Sequence, residues 1–177
     1  EYNVEEFKYH EFKTNNPATK NGYKKGSWVI DSSNFEMEWK VGINTNFHSL
    51  QGAVVTDTLS DNHVLIPESL EVYELELAVN NSEGIKGEKV TSGYTKEVSD
   101  DSWKVTFTED TNKAYLITYK TKDKTGMHVK DEDAERLEYK NEAKLDIPDL
   151  KEQTYNQKLE WKTPDQFIEK SVTGNEN

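Results

Sequence analysis

The chain has 177 residues, of which 33% are hydrophobic and 32% charged, with a formal net charge of −12 and no cysteine. That charge disfavours nucleic acid and anionic membrane surfaces, whose phosphates would repel it. The absence of cysteine excludes disulfides, thiolate metal sites, cysteine nucleophiles and thioesters.

So little apolar content implies a thin core built by alternation. Residues 1–20 are polar, with a weak strand pattern in EEFKYHEF, and read as an N-terminal linker or edge strand. GYKKGSWVI reads as a short strand. In NFEMEWKVGIN, Phe35, Met37, Trp39, Val41 and Ile43 share one face, and Glu36, Glu38 and Lys40 the other. That is a period of two, the mark of a half-buried strand. GAVVTDTL is a further short strand, and LEVYELELAV puts Tyr73, Leu75, Leu77 and Val79 on one face.

NNSEGIKGEKVTSG is the longest loop-like stretch and holds the one N-x-S pattern, Asn80-Asn81-Ser82. In DSWKVTFTED, Trp103, Val105 and Phe107 alternate with polar residues, and AYLITYKT aligns Tyr115, Ile117 and Tyr119. DSSN and EDTNK supply turn chemistry between strands. DEDAERLEYK allows at most a short helical turn. ERLEYKNEAKLDI aligns Leu137, Tyr139, Ala143 and Leu145. QKLEWKT reads as a last strand, and IEKSVTGNEN as a linker or the start of another module. No apolar stretch approaches a membrane span and no signal peptide is recognised. The abrupt polar ends suggest a piece of something longer.

Many short strands separated by turns predict an all-β sandwich of two antiparallel sheets. The expected division is a linker or edge strand over 1–20, a sandwich domain over 21–147, and a last strand with a linker over 148–177.

Three polar residues fall on apolar faces. Asn141 is in phase with Tyr139 and Ala143. Asp57 is in phase with Ala53 and Val55. Lys24 is in phase with Trp28 and Ile30, whereas Lys25 falls with Ser27 and Asp31. A single inward polar residue near a strand end is usually structural, because its tip reaches solvent. Three on separate strands should meet, because an unpaired buried charge is expensive. Burial drives a lysine to its neutral amine and a carboxyl to its neutral acid. A neutral amine is a nucleophile, and a neutral carboxyl can polarise a carboxamide carbonyl and shuttle protons. Attack of the amine on that carbonyl would release ammonia and leave an amide bridge between strands.

The segments YKKG, EWKVGINTN, AVVTDTL, LITYKTK and YKNEAKL resemble, in order and spacing, the collagen-adhesin-type domains of Gram-positive surface proteins. The resemblance covers roughly residues 20–147. It implies an immunoglobulin-like sandwich with an intramolecular Lys–Asn isopeptide bond. Carried over residue by residue, Lys24 matches the reactive lysine, Asp57 the catalytic acid and Asn141 the acceptor. Lys25 and Lys13 remain alternatives for the lysine, and Lys170 in FIEKSVTG would suit the first strand of a following module. The family's collagen binding is not carried over, since fold alone does not assign a ligand.

His10, His48, His63 and His128 lack metal-ligand spacing and are expected at solvated or edge positions. Asp131, Glu132, Asp133 and Glu135 lack the order of a calcium loop and read as a solvated run. There is no G-x-S-x-G elbow and no Gly-rich phosphate loop, so a turnover enzyme is not expected, nor any cofactor or metal. The expectation is a structural stalk or adhesin module of a wall-anchored bacterial surface protein, outside the cell. Its partners would be neighbouring modules, with no nucleic acid and no membrane. Two alternatives are a ligand-binding adhesin domain that recognises a host extracellular-matrix protein or glycan, and an ordinary sandwich without a crosslink. Phe47 and Trp161 suit either a binding surface or the ends of the sandwich.

Overall fold

A computed structural model describes residues 21–29, 35–125 and 136–162. Ten strands follow one another: β1 (Gly22–Trp28), β2 (Glu36–Ile43), β3 (Val54–Leu59), β4 (His63–Ala78), β5 (Asn81–Val90), β6 (Tyr94–Val98), β7 (Ser102–Phe107), β8 (Tyr115–Asp123), β9 (Arg136–Asp146) and β10 (Gln153–Lys162). They form two five-stranded sheets, ordered β1-β2-β8-β4-β5 (sheet A) and β10-β9-β3-β7-β6 (sheet B). Every pairing is antiparallel. The described residues contain no helix.

The alternation written in the sequence becomes the core between the sheets. Met37, Trp39, Val41 and Ile43 of β2 are fully buried, facing Trp103, Val105 and Phe107 of β7 and Tyr139, Ala143 and Leu145 of β9. Emptying the site of a buried Trp such as Trp39 would cost about 3–5 kcal/mol. Asn44 ends β2 with a φ of 61°, a left-handed conformation that asparagine tolerates. Its side chain then ties the loop down, donating to the carbonyls of His48 and Lys113 and accepting from the His48 amide.

β4 departs from the simple reading. Tyr73, Leu75 and Leu77 do share a face, but it is the outer face of sheet A. Leu65, Leu70 and Val72 face the core instead, and Val79 lies beyond the strand, fully exposed. A register shift between Ile66 and Glu71 resets the phase, so the second half of β4 cannot be counted from the first. The outward set forms a satellite cluster in which Tyr23 and Tyr73 pack on Leu75, Ala114 and Leu116.

The stretch expected to be the longest loop is largely strand β5. It is an edge strand with both faces mostly in solvent, so it carries no apolar alternation to betray it. QKLEWKT belongs to the longer β10, paired along β9. The DSSN turn, the EEFKYHEF pattern, the acidic run at 131–135 and the tail after residue 162 lie outside the described residues.

One side of the sandwich is closed by hydrogen bonds between its two edge strands. Gln157 of β10 donates from its carboxamide to the Lys24 carbonyl of β1 at 3.3 Å, and the Asn21 amide donates to Gln153 at 2.7 Å. This seam brings the inner face of β1 over β9 and β3.

Candidate functional site: a buried lysine, carboxyl and carboxamide between the sheets

Strand register decides which lysine enters the core. Lys24 pairs with the buried Val41, whereas Lys25 pairs with the exposed Lys40. The Lys24 side chain therefore points inward, 5.7 Å from the Trp39 ring and 5.2 Å from the Tyr119 ring. Lys25 is exposed and lies 3.8 Å from Glu83. Lys13 lies outside the described residues.

Asp57 sits in the centre of sheet B, with Trp103 of β7 on one side and Ala143 of β9 on the other. Asn141 lies on β9, opposite Leu59 of β3 and Gln157 of β10. The inward face of β9 thus carries Asn141 one diagonal step from Asp57. Lys24, Asp57 and Asn141 are all buried.

Lys24 Nζ donates to Asp57 Oδ2 at 2.5 Å and to the Tyr119 hydroxyl at 2.6 Å. Tyr119 in turn donates to the same Asp57 Oδ2 at 2.6 Å. The three groups close a triangle that spans both sheets. Asp57 Oδ1 and both polar atoms of the Asn141 carboxamide have no hydrogen-bond partner. Asn141 lies near enough to the Tyr119 hydroxyl to favour its ionised form, without an aligned hydrogen bond. Buried polar atoms left in this way each cost about 1–3 kcal/mol.

The electrostatics favour neutral partners. Burial pushes the Asp57 carboxyl up to about 6, against the pull of Lys24 and the hydrogen bond from Tyr119. Burial lowers Lys24 from the ordinary lysine range, with Asp57 opposing. Tyr119 is held well above the ordinary phenol range, by burial first and Asp57 second, and so remains a hydroxyl. Burial thus moves each partner toward its neutral form, and a neutral amine, a neutral acid and a carboxamide without partners are the ingredients of amide exchange.

A second polar chain runs beside this triangle. His63, expected near solvent, is buried. Its Nε2 lies 3.0 Å from the Lys140 carbonyl, which can only accept, so Nε2 carries the hydrogen. Nδ1 then accepts from the Thr121 hydroxyl at 2.9 Å, and Thr121 accepts from the Trp39 indole at 2.9 Å. The chain crosses from sheet A to the β9 backbone next to Asn141. Thr121 and Asp123 continue the inward phase of β8 already set by Tyr115, Ile117 and Tyr119, and the parity that picked out Asn141 would have found them.

A family model for the collagen binding domain matches residues 19–156. The chain belongs to the collagen-binding domain family. Among solved structures, ACE19, the collagen-binding subdomain of the Enterococcus faecalis surface protein ACE, superposes with a TM-score of 0.52 at 13% identity, covering 84% of this chain and 100% of that one. A longer structure of E. faecalis ACE gives a TM-score of 0.55 at 12% identity, covering 84% of this chain and 52% of that one. The Staphylococcus aureus collagen adhesin gives 0.50 at 13% identity, covering 82% and 53%. At these identities the likeness is one of fold, and the chain spans about half of the two longer structures. No curated protein matches the sequence significantly. Membership of the collagen-binding domain family agrees with the fold, an all-β immunoglobulin-like sandwich.

Proposed function

We propose that this chain is a stalk or adhesin module of a bacterial cell-surface protein, locked by a self-formed amide between Lys24 Nζ and Asn141 Cγ. The observation that carries the reading is the buried hydrogen bond from Lys24 to Asp57, beside a carboxamide with no partner. The neutral Lys24 amine attacks Asn141 Cγ. Asp57 lends its proton to the Asn141 carbonyl oxygen and recovers it as the tetrahedral centre collapses. The Nζ–Cγ bond forms, the Cγ–Nδ2 bond breaks, and one Nζ hydrogen leaves with Nδ2 as ammonia. The reaction runs once, so the domain is not an enzyme.

The bridge would tie β1 to β9, close to the first and last strands of the sandwich. Tension entering near Gly22 and leaving near β9 would then pass through covalent bonds rather than through the hydrogen-bonded ladder. Such a device fits an extracellular module, attached to the wall through the rest of its protein and joined in series to neighbouring modules. The three-part division at 20 and 147 belongs to the same proposal, with β10 as its last strand.

Intact-mass spectrometry tests the reading. The expected mass is that of the sequence less one ammonia, and Asn141→Ala should show its full calculated mass. A wild-type mass equal to the full sequence mass would sink the crosslink.

A second reading, binding of host collagen, is favoured by family membership and by the outer face of sheet A. There Tyr23 and Tyr73 pack on an apolar cluster, and a groove beside it runs between the exposed side chains of Phe47 and Leu77. Immobilised triple-helical collagen should retain the protein and lose it on Tyr73→Ala. Equal retention on an unrelated protein surface would remove the reading.

A further inference from the structure

We propose that Tyr119 is a third catalytic residue of the crosslinking site, one whose hydroxyl aims the attacking lone pair of Lys24. The inference rests on the crosslink reading above. A neutral amine has two hydrogens and one lone pair. In this structure Nζ has two hydrogen-bond acceptors, Asp57 Oδ2 and the Tyr119 oxygen, both within 2.6 Å. With both hydrogens engaged, the lone pair must take the remaining tetrahedral direction. Asn141 is the reacting group left without partners in the same buried space.

The same hydroxyl orients the acid. Asp57 Oδ2 accepts from Lys24 and from Tyr119, so the proton of the neutral carboxyl falls to Oδ1, the oxygen without a partner. Oδ1 is therefore the atom that can donate to the Asn141 carbonyl. Without the phenol hydrogen, Oδ2 could carry the proton itself and hand it to the Lys24 lone pair, which would quench the nucleophile. The geometry of Tyr119 is held independently of its hydroxyl, since its ring meets Trp103 edge-on at 5.3 Å. Removing the oxygen should thus leave the ring in place.

No atoms beyond those of the crosslinking reaction are needed. Tyr119 ends the reaction as it began, with its own hydrogen.

The test follows ammonia loss by intact mass during cell-free synthesis of wild type, Tyr119→Phe and Asn141→Ala, sampled over time. Tyr119→Phe should crosslink at least about tenfold more slowly, since a lost donor at a reacting centre commonly costs more than that. The pH profile separates this role from a slower folding step. Charged and titratable groups acting on Asp57 come from β1 (Lys24), β8 (Tyr119) and β9 (Glu142), and Lys24 of β1 and Asp123 of β8 act on His63 of β4. The Tyr119 hydrogen bond favours the Asp57 carboxylate, so its loss should move the alkaline limb of the rate profile to higher pH. A 3-fluorotyrosine at position 119 keeps the ring and donates more strongly, so it should move that limb to lower pH. This second variant decides the matter if Tyr119→Phe does not fold.

Crosslinking of Tyr119→Phe at the wild-type rate, or a limb that stays put in a folded variant, overturns the role of Tyr119 and leaves the crosslink standing. Absence of ammonia loss in wild type overturns the crosslink, and this inference with it.

Discussion

Lys24 and Asp57 belong to opposite sheets, yet their charged atoms lie 2.5 Å apart with both side chains wholly buried. Two ionised groups so placed gain Coulomb energy but lose hydration of several kcal/mol each. The arrangement is weak as a stability device and well suited to chemistry, because burial favours the neutral form of each partner.

Removing either partner should therefore do two separable things. Asp57→Ala should abolish ammonia loss and, by stranding a buried lysine, reduce stability by about 3–5 kcal/mol. Asp57→Asn keeps the volume and an acceptor but has no proton to lend, so it should abolish ammonia loss with a smaller drop in stability. Lys25→Ala should leave both ammonia loss and stability near wild type, because that side chain is in solvent. Intact mass and urea denaturation read the two effects. Ammonia loss in Asp57→Asn would assign the acid to another residue.

Acid should weaken the fold through His63. Burial lowers this imidazole to about 4 from its ordinary 6.5. In the unfolded chain it takes up a proton below about pH 6.5, whereas in the fold it stays neutral until about pH 4. Its contribution is thus present above pH 6.5 and is lost as pH falls through this window. The full span amounts to about 3 kcal/mol. Asp57, raised to about 6, slopes the other way, losing stability as pH rises from 3.8 through 6. The difference between parent and His63→Gln cancels that slope, provided both carry Asn141→Ala. Parallel stability curves for the two between pH 7 and 4 would refute the assignment.

How much of this was legible depended on whether a residue had to obey the period of two. Trp39, Trp103 and Tyr139 each fill the thin core, so their strands announced themselves. Lys24, Asp57 and Asn141 stood out because they broke that pattern, and the structure brings Lys24 and Asp57 into contact and buries Asn141 beside them. β5 obeys no pattern, because an edge ribbon wet on both sides buries nothing. The phase of β4 was lost at the register shift between Ile66 and Glu71, where Pro67, which cannot donate to the ladder, marks the break. Tyr119 was legible as a core ring but not as a hydroxyl, since parity reports direction and not hydrogen bonding. His63 stands at the first residue of β4, where a strand end ordinarily reaches water. Only tertiary packing covers it.

Asn44 should be among the costliest polar residues to lose outside the site. It is fully buried, adopts a φ of 61°, and bonds two backbone carbonyls and one amide of neighbouring loops. Asn44→Ala strands those groups and places a Cβ residue in the left-handed region, for a loss of about 2–4 kcal/mol. Asn44→Gly strands the same groups without the conformational cost, so it should be less damaging by about 1 kcal/mol. Urea unfolding in the Asn141→Ala background measures both. Equal losses for Ala and Gly would mean that the backbone there is not the constraint.

Gly42 is the last test, because it links strand pairing to the outer face. A Cβ there would come within 2.3 Å of the Tyr23 ring, which lies over the glycine from the paired position on β1. The ring cannot simply swing away, since its hydroxyl donates to the Glu83 carbonyl of β5 at 2.6 Å. Gly42→Ala should therefore lift Tyr23 from the face, break that bond and cost about 1–3 kcal/mol as an overpacked site. In a Tyr23→Ala background the same change no longer meets the ring, and alanine replaces a flexible glycine in a strand. Its cost should then fall to zero or become a small gain. The two substitutions should accordingly be coupled in a double-mutant cycle by about 1 kcal/mol or more. Collagen retention should drop with Gly42→Ala, as expected for Tyr73→Ala. Strictly additive stabilities would show that the ring yields without strain, and that the glycine serves some other need of β2.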